Sequence, residues 1–177
     1  MNIKKLLALS VGQCFNRNLF KFTGCFKRLA CTELDGKARD LFVDWVKACG
    51  CTVTIDQFGN IFARCEGLNS NLSAVATGSH LDTQSTGGKF DGVEVLRTLH
   101  ENNIVTEAPM EFTVCTNEEG ARYPPAMQGS GVYVGRFDFE SELNKTDVDG
   151  IRLGDELENI GYLGDAKPGS RNFDAFF

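Results

Sequence analysis

The segment at residues 78–92, GSHLDTQSTGGKFDG, constrains the fold of this chain more than any other part of the sequence. It contains one histidine, two aspartates and four glycines, and it follows a short apolar run at residues 74–76. An apolar run that leads into glycines and chemically active side chains is typical of a buried strand that ends in an active-site loop. We therefore predict a sheet whose functional loop begins near His80.

A second acidic segment follows another strand-like run. Met110, Phe112 and Val114 alternate as expected of a strand, and the sequence TNEEG follows them at residues 116–120. Because open α/β sheets bind ligands at the carboxyl ends of their strands, we expect the two segments to lie at the same edge. One imidazole and several carboxylates at such an edge suit a divalent metal ion.

The residues before the first of these segments predict a helix and a hairpin. Thr32 and Asp35 resemble a capping box, and six apolar positions then share one helical face: Leu34, Ala38, Leu41, Phe42, Trp45 and Cys49. Gly50 ends this helix, and alternating residues on both sides of Gly59 and Asn60 predict a hairpin.

The remaining elements favour an α/β fold with a mixed sheet flanked by helices. Short strands are expected near residues 74–77 and 110–114, a helix at residues 94–100, and short helices after residue 143. We expect an irregular segment at residues 1–30 and one domain at residues 31–177, since 177 residues suffice for one core.

Composition and charge exclude several classes of partner. Apolar residues make up 42% of the chain, charged residues 24%, and the net charge is -6. The basic residues are scattered, so we expect no nucleic-acid partner. No apolar run reaches the length of a membrane span, so no membrane association is expected.

Seven cysteines stand at spacings that match neither a disulfide framework nor a C-x-x-C zinc motif. The N-terminal sequence MNIKKLLALSVG has too short an apolar run for a typical signal peptide and lacks a small-x-small cleavage site. We therefore predict free thiols and a cytoplasmic location.

The residue types themselves suggest roles. His80 and Asp82 are two positions apart and share one face of a strand, an arrangement in which histidine ligates a metal and a carboxylate holds its other ring nitrogen. The side chains of Glu118 and Glu119 diverge if the segment is extended, so one would ligate and the other would act as a base. Glycines flank Asp91 and let the backbone approach a site closely. Alternatively, His80 is a surface residue and the glutamates are simply solvated.

Two long motifs resemble those of the amidase/hydantoinase/carbamoylase family of zinc-dependent amidohydrolases. They are GSHLDTQSTGGKFDG at residues 78–92 and TNEEGARYPPAMQGSGVYVG at residues 116–135. The resemblance runs from about Arg28 to Phe177 and includes GNIFAR at residues 59–64. It implies the first half of a co-catalytic zinc metallopeptidase-like catalytic domain, without the lid domain.

The resemblance also implies a role for each matching residue. His80 would ligate one of two divalent metal ions, Asp91 would bridge the two, and Glu119 would ligate the other. Glu118 would be the general base, and Asp82 would orient His80. The metals would be zinc, manganese or cobalt, and the substrate a small molecule such as an N-carbamoyl amino acid or a ureide, hydrolysed at a non-peptide C–N bond.

Two departures from the family pattern lead to a further expectation. About two helical turns are missing after Gly92, and the chain stops at Phe177, before the family's next metal-binding histidine motif and its lid. Two zinc ions that share one carboxylate need about five protein ligands, and this chain offers His80, Asp91 and Glu119. We expect a truncated, weakly active or inactive chain with partial or no metal occupancy, and no dimer through the lid.

Two alternatives stay open at this point. The chain could be a non-catalytic remnant domain with a structural or interaction role, or it could bind a single metal ion through His80, Asp91 and Glu119.

Overall fold

A computed structural model describes residues 27–83 and 94–176 of the chain. Asp91, one of the predicted metal ligands, lies outside the described residues. Most of the N-terminal segment that was predicted to be irregular lies outside them as well.

The described residues form a mixed sheet with helices packed on it, which confirms the predicted α/β fold. The strands are β1 (Thr52–Ile55), β2 (Ile61–Cys65), β3 (Ala74–His80), β4 (Met110–Cys115) and β5 (Phe173–Phe176). The helices are α1 (Glu33–Ala48), α2 (Glu94–Glu101), α3 (Gln128–Tyr133), α4 (Phe139–Leu143) and α5 (Leu153–Asn159). The sheet has the strand order β1-β2-β4-β3-β5. In the part of the chain that the structure describes, no helix is long and apolar enough to cross a lipid bilayer.

Helix α1 begins at the predicted cap and buries Ala38 and Phe42 of the predicted apolar face, but it also buries residues outside that face. The Thr32 side chain accepts a hydrogen bond from the Asp35 amide, while Leu34 is 36% exposed. Asp35 and Arg39 are buried instead and pair at 2.9 Å, and Arg39 also donates to the Gly59 carbonyl at 2.7 Å. A count of apolar positions misses this pair because the two opposite charges satisfy each other when buried, and Arg39 finds a further acceptor in the Gly59 carbonyl.

The predicted hairpin is present, and it carries a disulfide that the sequence analysis did not predict. Strands β1 and β2 are antiparallel, with Thr52 opposite Arg64. This register places Cys51 beside Cys65, with Cα atoms 4.3 Å apart, and the two residues are disulfide-bonded. The prediction of free thiols is therefore wrong for this pair, whereas Cys31, Cys49 and Cys115 are free. The cytoplasmic location stays a prediction.

The central strands fix the edge at which the predicted site lies. Strands β3 and β4 are parallel, and His80 at the end of β3 is in register with Cys115 at the end of β4. The two loops that follow these strands therefore leave the sheet at the same edge. Strand β5 pairs with the other side of β3, also in parallel.

The apolar core includes residues from the central strands, from α1 and from the C-terminal helices. Its fully buried members include Val46, Phe58, Ile61, Ala63, Tyr123, Leu153 and Leu157. These side chains hold the helices against the sheet, and burial of each large one contributes about 1.5–3 kcal/mol.

Candidate functional site

The parallel strand ends bring four of the five predicted site residues together. His80 ends β3, Asp82 follows two residues later, and Glu118 and Glu119 follow the end of β4. Direct contacts of Asp82 and His80 with the glutamate segment join the two loops. The fifth predicted residue, Asp91, lies outside the described residues, so its position relative to the other four stays a prediction.

Asp82 anchors the loop that carries the glutamates. Its side chain is buried, and its two carboxylate oxygens accept hydrogen bonds from the amides of Glu118 at 3.2 Å and Glu119 at 3.1 Å. Hydrogen bonds to a carboxylate are stronger than those between neutral groups. Asp82 therefore positions both glutamates through their backbone, a role that the sequence analysis did not assign to it.

The His80 ring is held mainly by the backbone of Asp82. His80 Nδ1 lies 2.8 Å from the Asp82 carbonyl oxygen and 3.5 Å from the carboxylate oxygen Oδ1. Because a carbonyl can only accept, Nδ1 carries the proton, and in the neutral imidazole Nε2 carries the lone pair. Fixing a histidine in this way is typical of metal ligands.

The lone pair of His80 lies on the side of Glu119. His80 Nε2 is 3.9 Å from Glu119 Oε1, and both side chains are partly exposed, at 21% and 27%. Two donors that each bind zinc at about 2.0–2.2 Å can be at most about 4.2 Å apart on one ion. At 3.9 Å the two donors lie within that limit, and a nitrogen and a carboxylate oxygen are donor types that zinc accepts. Among residues 27–83 and 94–176, no group of three or more His, Cys, Asp or Glu residues is arranged to hold one.

The side chain of Glu118 is held by helix α3. Its Oε1 accepts from the Ser130 amide at 2.8 Å, and its Oε2 accepts from the Ser130 hydroxyl at 2.9 Å. Burial raises the pKa of Glu118, the two hydrogen bonds from Ser130 oppose that shift, and the nearby Asp82 carboxylate adds to it. A carboxylate whose pKa is raised toward neutrality suits proton transfer.

A buried polar network supports the turn that carries the glutamates. The Asn60 side chain accepts from the Thr116 amide at 2.9 Å and donates to the Gly129 carbonyl at 3.2 Å. Asn117 adopts a positive φ of 54° and donates to Tyr123 O and Gln128 Oε1, both at 2.6 Å. Asn60 contacts residues 56 and 69 positions away, so no local pattern predicts its role, although it lies in the GNIFAR motif and Asn117 in the NEEG motif.

Hydrogen bonds and ion pairs of Arg122 and Arg28 connect the two loops to neighbouring segments of the chain. Arg122 pairs with Asp147 at 2.9 Å and Glu156 at 2.7 Å, and donates to the Ala30 carbonyl at 3.1 Å. The Arg28 amide donates to the hydroxyl of Thr83 at 2.9 Å, and the Thr83 amide donates back to the Arg28 carbonyl at 2.8 Å. The segment before α1 is therefore attached to both loops of the site.

Comparison with known proteins finds relatives that are all hydrolases by name among those described below, although no family model matches the chain. An N-carbamoyl-L-amino-acid amidohydrolase of Rhizobium meliloti is 42% identical over 157 residues, which cover 85% of this chain and 38% of that relative. A ureidoglycolate hydrolase of Arabidopsis thaliana is 33% identical over 147 residues, which cover 78% of this chain and 31% of that relative.

A solved structure agrees with these relatives. The crystal structure of an amidase of the hydantoinase/carbamoylase family from Burkholderia vietnamiensis matches with a TM-score of 0.85 and 46% identity. The match covers 99% of this chain and 43% of that one. This chain therefore spans well under half the length of the relatives it matches. By sequence and by fold, it corresponds to an N-terminal part of the amidases of the hydantoinase/carbamoylase family.

Proposed function

We propose that this chain carries part of a metal-dependent hydrolase site that acts on non-peptide C–N bonds. The supporting observation is that His80, Asp82, Glu118 and Glu119 meet at the shared edge of β3 and β4. The relatives are an N-carbamoyl-L-amino-acid amidohydrolase and a ureidoglycolate hydrolase by name, so the proposed substrates are N-carbamoyl amino acids or ureides.

Glu118 is the proposed general base. Its partly buried carboxylate takes a proton from the attacking water, and the oxygen of that water then attacks the substrate carbonyl carbon. As the C–N bond breaks, the protonated Glu118 returns the proton to the leaving nitrogen. Burial raises the pKa of Glu118 above its ordinary value, which makes the carboxylate a stronger base than an exposed glutamate.

The proposed metal-binding residues are His80 and Glu119 in the described part of the chain and Asp91, which lies outside it. A divalent cation would supply charge that polarises the substrate carbonyl. Asp82 acts indirectly, since its carboxylate holds both glutamate amides and its carbonyl holds the His80 ring. We expect low turnover, because the described residues contain no group of three or more His, Cys, Asp or Glu side chains arranged to hold a metal ion.

The test is a hydrolysis assay on the purified chain. With zinc, manganese or cobalt added, we expect slow release of free amino acid from N-carbamoyl-L-alanine, or slow hydrolysis of ureidoglycolate. Glu118→Gln should reduce the rate by about 10²–10⁴-fold, since it removes the base.

Glu158→Gln is the matched control, because Glu158 is an exposed glutamate on α5, remote in sequence from both loops. Turnover that Glu118→Gln leaves unchanged would exclude the assigned base. The absence of metal-dependent turnover on either substrate class would exclude the proposed activity and favour a non-catalytic domain.

A further inference from the structure

Ser130 makes two hydrogen bonds to one side chain of the proposed site. Its amide donates to Glu118 Oε1 at 2.8 Å and its hydroxyl to Glu118 Oε2 at 2.9 Å. The two oxygens of the carboxylate are thus held from the same side by one residue of α3. None of the roles implied by the sequence motifs involves this serine.

The backbone around Ser130 also holds the backbone of the glutamate segment. The Met127 amide donates to the Glu118 carbonyl at 2.7 Å, and the Gly129 amide donates to the Thr116 carbonyl at 2.8 Å. The main chain of Glu118 is therefore fixed without the help of the Ser130 hydroxyl. What the hydroxyl adds is control over the rotation of the carboxylate itself.

This rotation matters because the terminal torsion of a glutamate is otherwise broad. An ionised carboxylate can accept about four hydrogen bonds, and Ser130 occupies one position on each oxygen. The remaining lone pairs then point away from α3. A base must hold its oxygen in reach of the proton that it takes, and a displacement of about 1 Å can cost about 10²-fold in rate.

We propose that Ser130 is a positioning residue that orients the Glu118 carboxylate for proton transfer, an inference that rests on the proposed function above. The competing explanation is that Ser130 only attaches α3 to the loop. The two explanations differ in the role of the Ser130 hydroxyl. The hydrogen bond from the backbone amide to Glu118 is kept by any residue at this position other than proline.

The kinetic test compares Ser130→Ala with Ser130→Thr. The alanine variant keeps the amide hydrogen bond and loses the hydroxyl one, so kcat for N-carbamoyl-L-alanine should fall by about 10–100-fold with little change in KM. The threonine variant keeps a hydroxyl and should restore most of kcat. Ser141→Ala removes an exposed hydroxyl from α4 and should behave as wild type.

Two kinetic outcomes would overturn the proposal. One is a Ser130→Ala variant with wild-type kcat. The other is a Ser130→Thr variant that unfolds at the wild-type temperature but is as slow as Ser130→Ala. Either result leaves the proposed function standing, provided that Glu118→Gln still reduces turnover as expected above.

An NMR measurement tests the contact independently of turnover. The Ser130 amide proton should shift upfield and exchange faster in Glu118→Ala, because it loses a charged acceptor. Glu119→Ala should leave it unchanged. If the wild-type chain shows no turnover, the proposed function fails, and this measurement alone decides the orientation of Glu118. A Ser130 amide that is insensitive to Glu118→Ala would then overturn the inference.

Discussion

At the residue scale, the site depends on one buried carboxylate that makes no contact with substrate in the proposed mechanism. Asp82 receives the amides of Glu118 and Glu119, and its own carbonyl oxygen lies at hydrogen-bond distance from His80 Nδ1. Three groups of the site are thereby connected through a single residue.

Asp82→Asn should therefore destabilise the protein and weaken metal binding. The asparagine keeps one acceptor oxygen but turns an NH₂ group toward the second amide, which leaves a buried donor unsatisfied at a cost of about 1–3 kcal/mol. Urea unfolding measures this loss. Asp44→Asn, at an exposed position on α1, is the control and should change stability little. Equal stability of the two variants would contradict the anchoring role.

Glu118→Gln should raise stability at neutral pH. Burial raises the pKa of Glu118 above its ordinary value of 4.5, so folding favours the protonated form. Its contribution to stability is present below that ordinary value and is lost as the pH rises through the raised pKa. The neutral glutamine avoids this loss.

Thermal unfolding at two pH values measures the effect of Glu118→Gln. The variant should unfold at a higher temperature than wild type at about pH 7, and the difference should shrink at about pH 4. Glu158→Gln is the control. A variant that is less stable than wild type at neutral pH would contradict the assigned direction.

The residues of the site differ in how far sequence could predict them. His80, Glu118 and Glu119 follow strand-like runs, so their meeting at one edge follows from the general geometry of parallel strands. The contacts of Ser130 and the burial of Arg39 depend on partners that only the folded chain brings near. No local pattern in the sequence encodes them.

At the element scale, the β1–β2 hairpin also has a feature that local sequence patterns could not predict. Alternation predicted the hairpin, and its register places Cys51 opposite Cys65, yet the cysteine spacing alone matched no familiar framework. Pairing of two cysteines is a consequence of strand register, which must be known before the spacing has meaning.

Reduction of the disulfide should lower stability. The bond closes a loop with a sequence separation of 14, and a loop of about 15 residues corresponds to about 3 kcal/mol in the chain-entropy account. Urea unfolding with and without dithiothreitol measures the difference. Cys49→Ser is the control, because Cys49 is free, and its response to dithiothreitol should equal that of wild type. A chain whose stability is unaffected by the reductant would contradict this prediction.

Gly129→Ala should disrupt the packing of α3 on the end of β4. A Cβ at this position would lie 2.3 Å from Asn60 Oδ1 and 2.5 Å from the Thr116 amide nitrogen. Neither atom can move without breaking the hydrogen bond between them, so overpacking should cost about 1–3 kcal/mol or more.

Gly131→Ala provides the comparison for this helix. Its Cβ would meet the ring of Phe137, a side chain that is only partly buried and can rotate away. Thermal unfolding should therefore show a smaller loss for Gly131→Ala than for Gly129→Ala. The reverse order would contradict the packing argument.

At the scale of the whole molecule, the two loops of the site come from different parts of the chain and meet only in the folded state. A cation bound by His80 and Glu119 would therefore stabilise the fold, by about 2.7 kcal/mol at a concentration of 100 times Kd. The general fold was predictable from the order of the elements, whereas the position of each helix on the sheet was not.

Thermal unfolding with added zinc tests this link between metal binding and folding. The wild-type chain should unfold at a higher temperature with zinc, and His80→Ala should lose the increase. His100→Ala is the matched control, because His100 is exposed on α2, and it should keep the increase. An increase that survives in His80→Ala would assign the zinc to another place on the molecule.

The double attachment of the glutamate amides to Asp82 has a consequence for how such a loop can diverge. Because both amides donate to the Asp82 carboxylate, a shift of Asp82 would move Glu118 and Glu119 together and keep the distance between them. Substrate preference can then drift through surrounding segments while the spacing of the acidic pair is inherited intact.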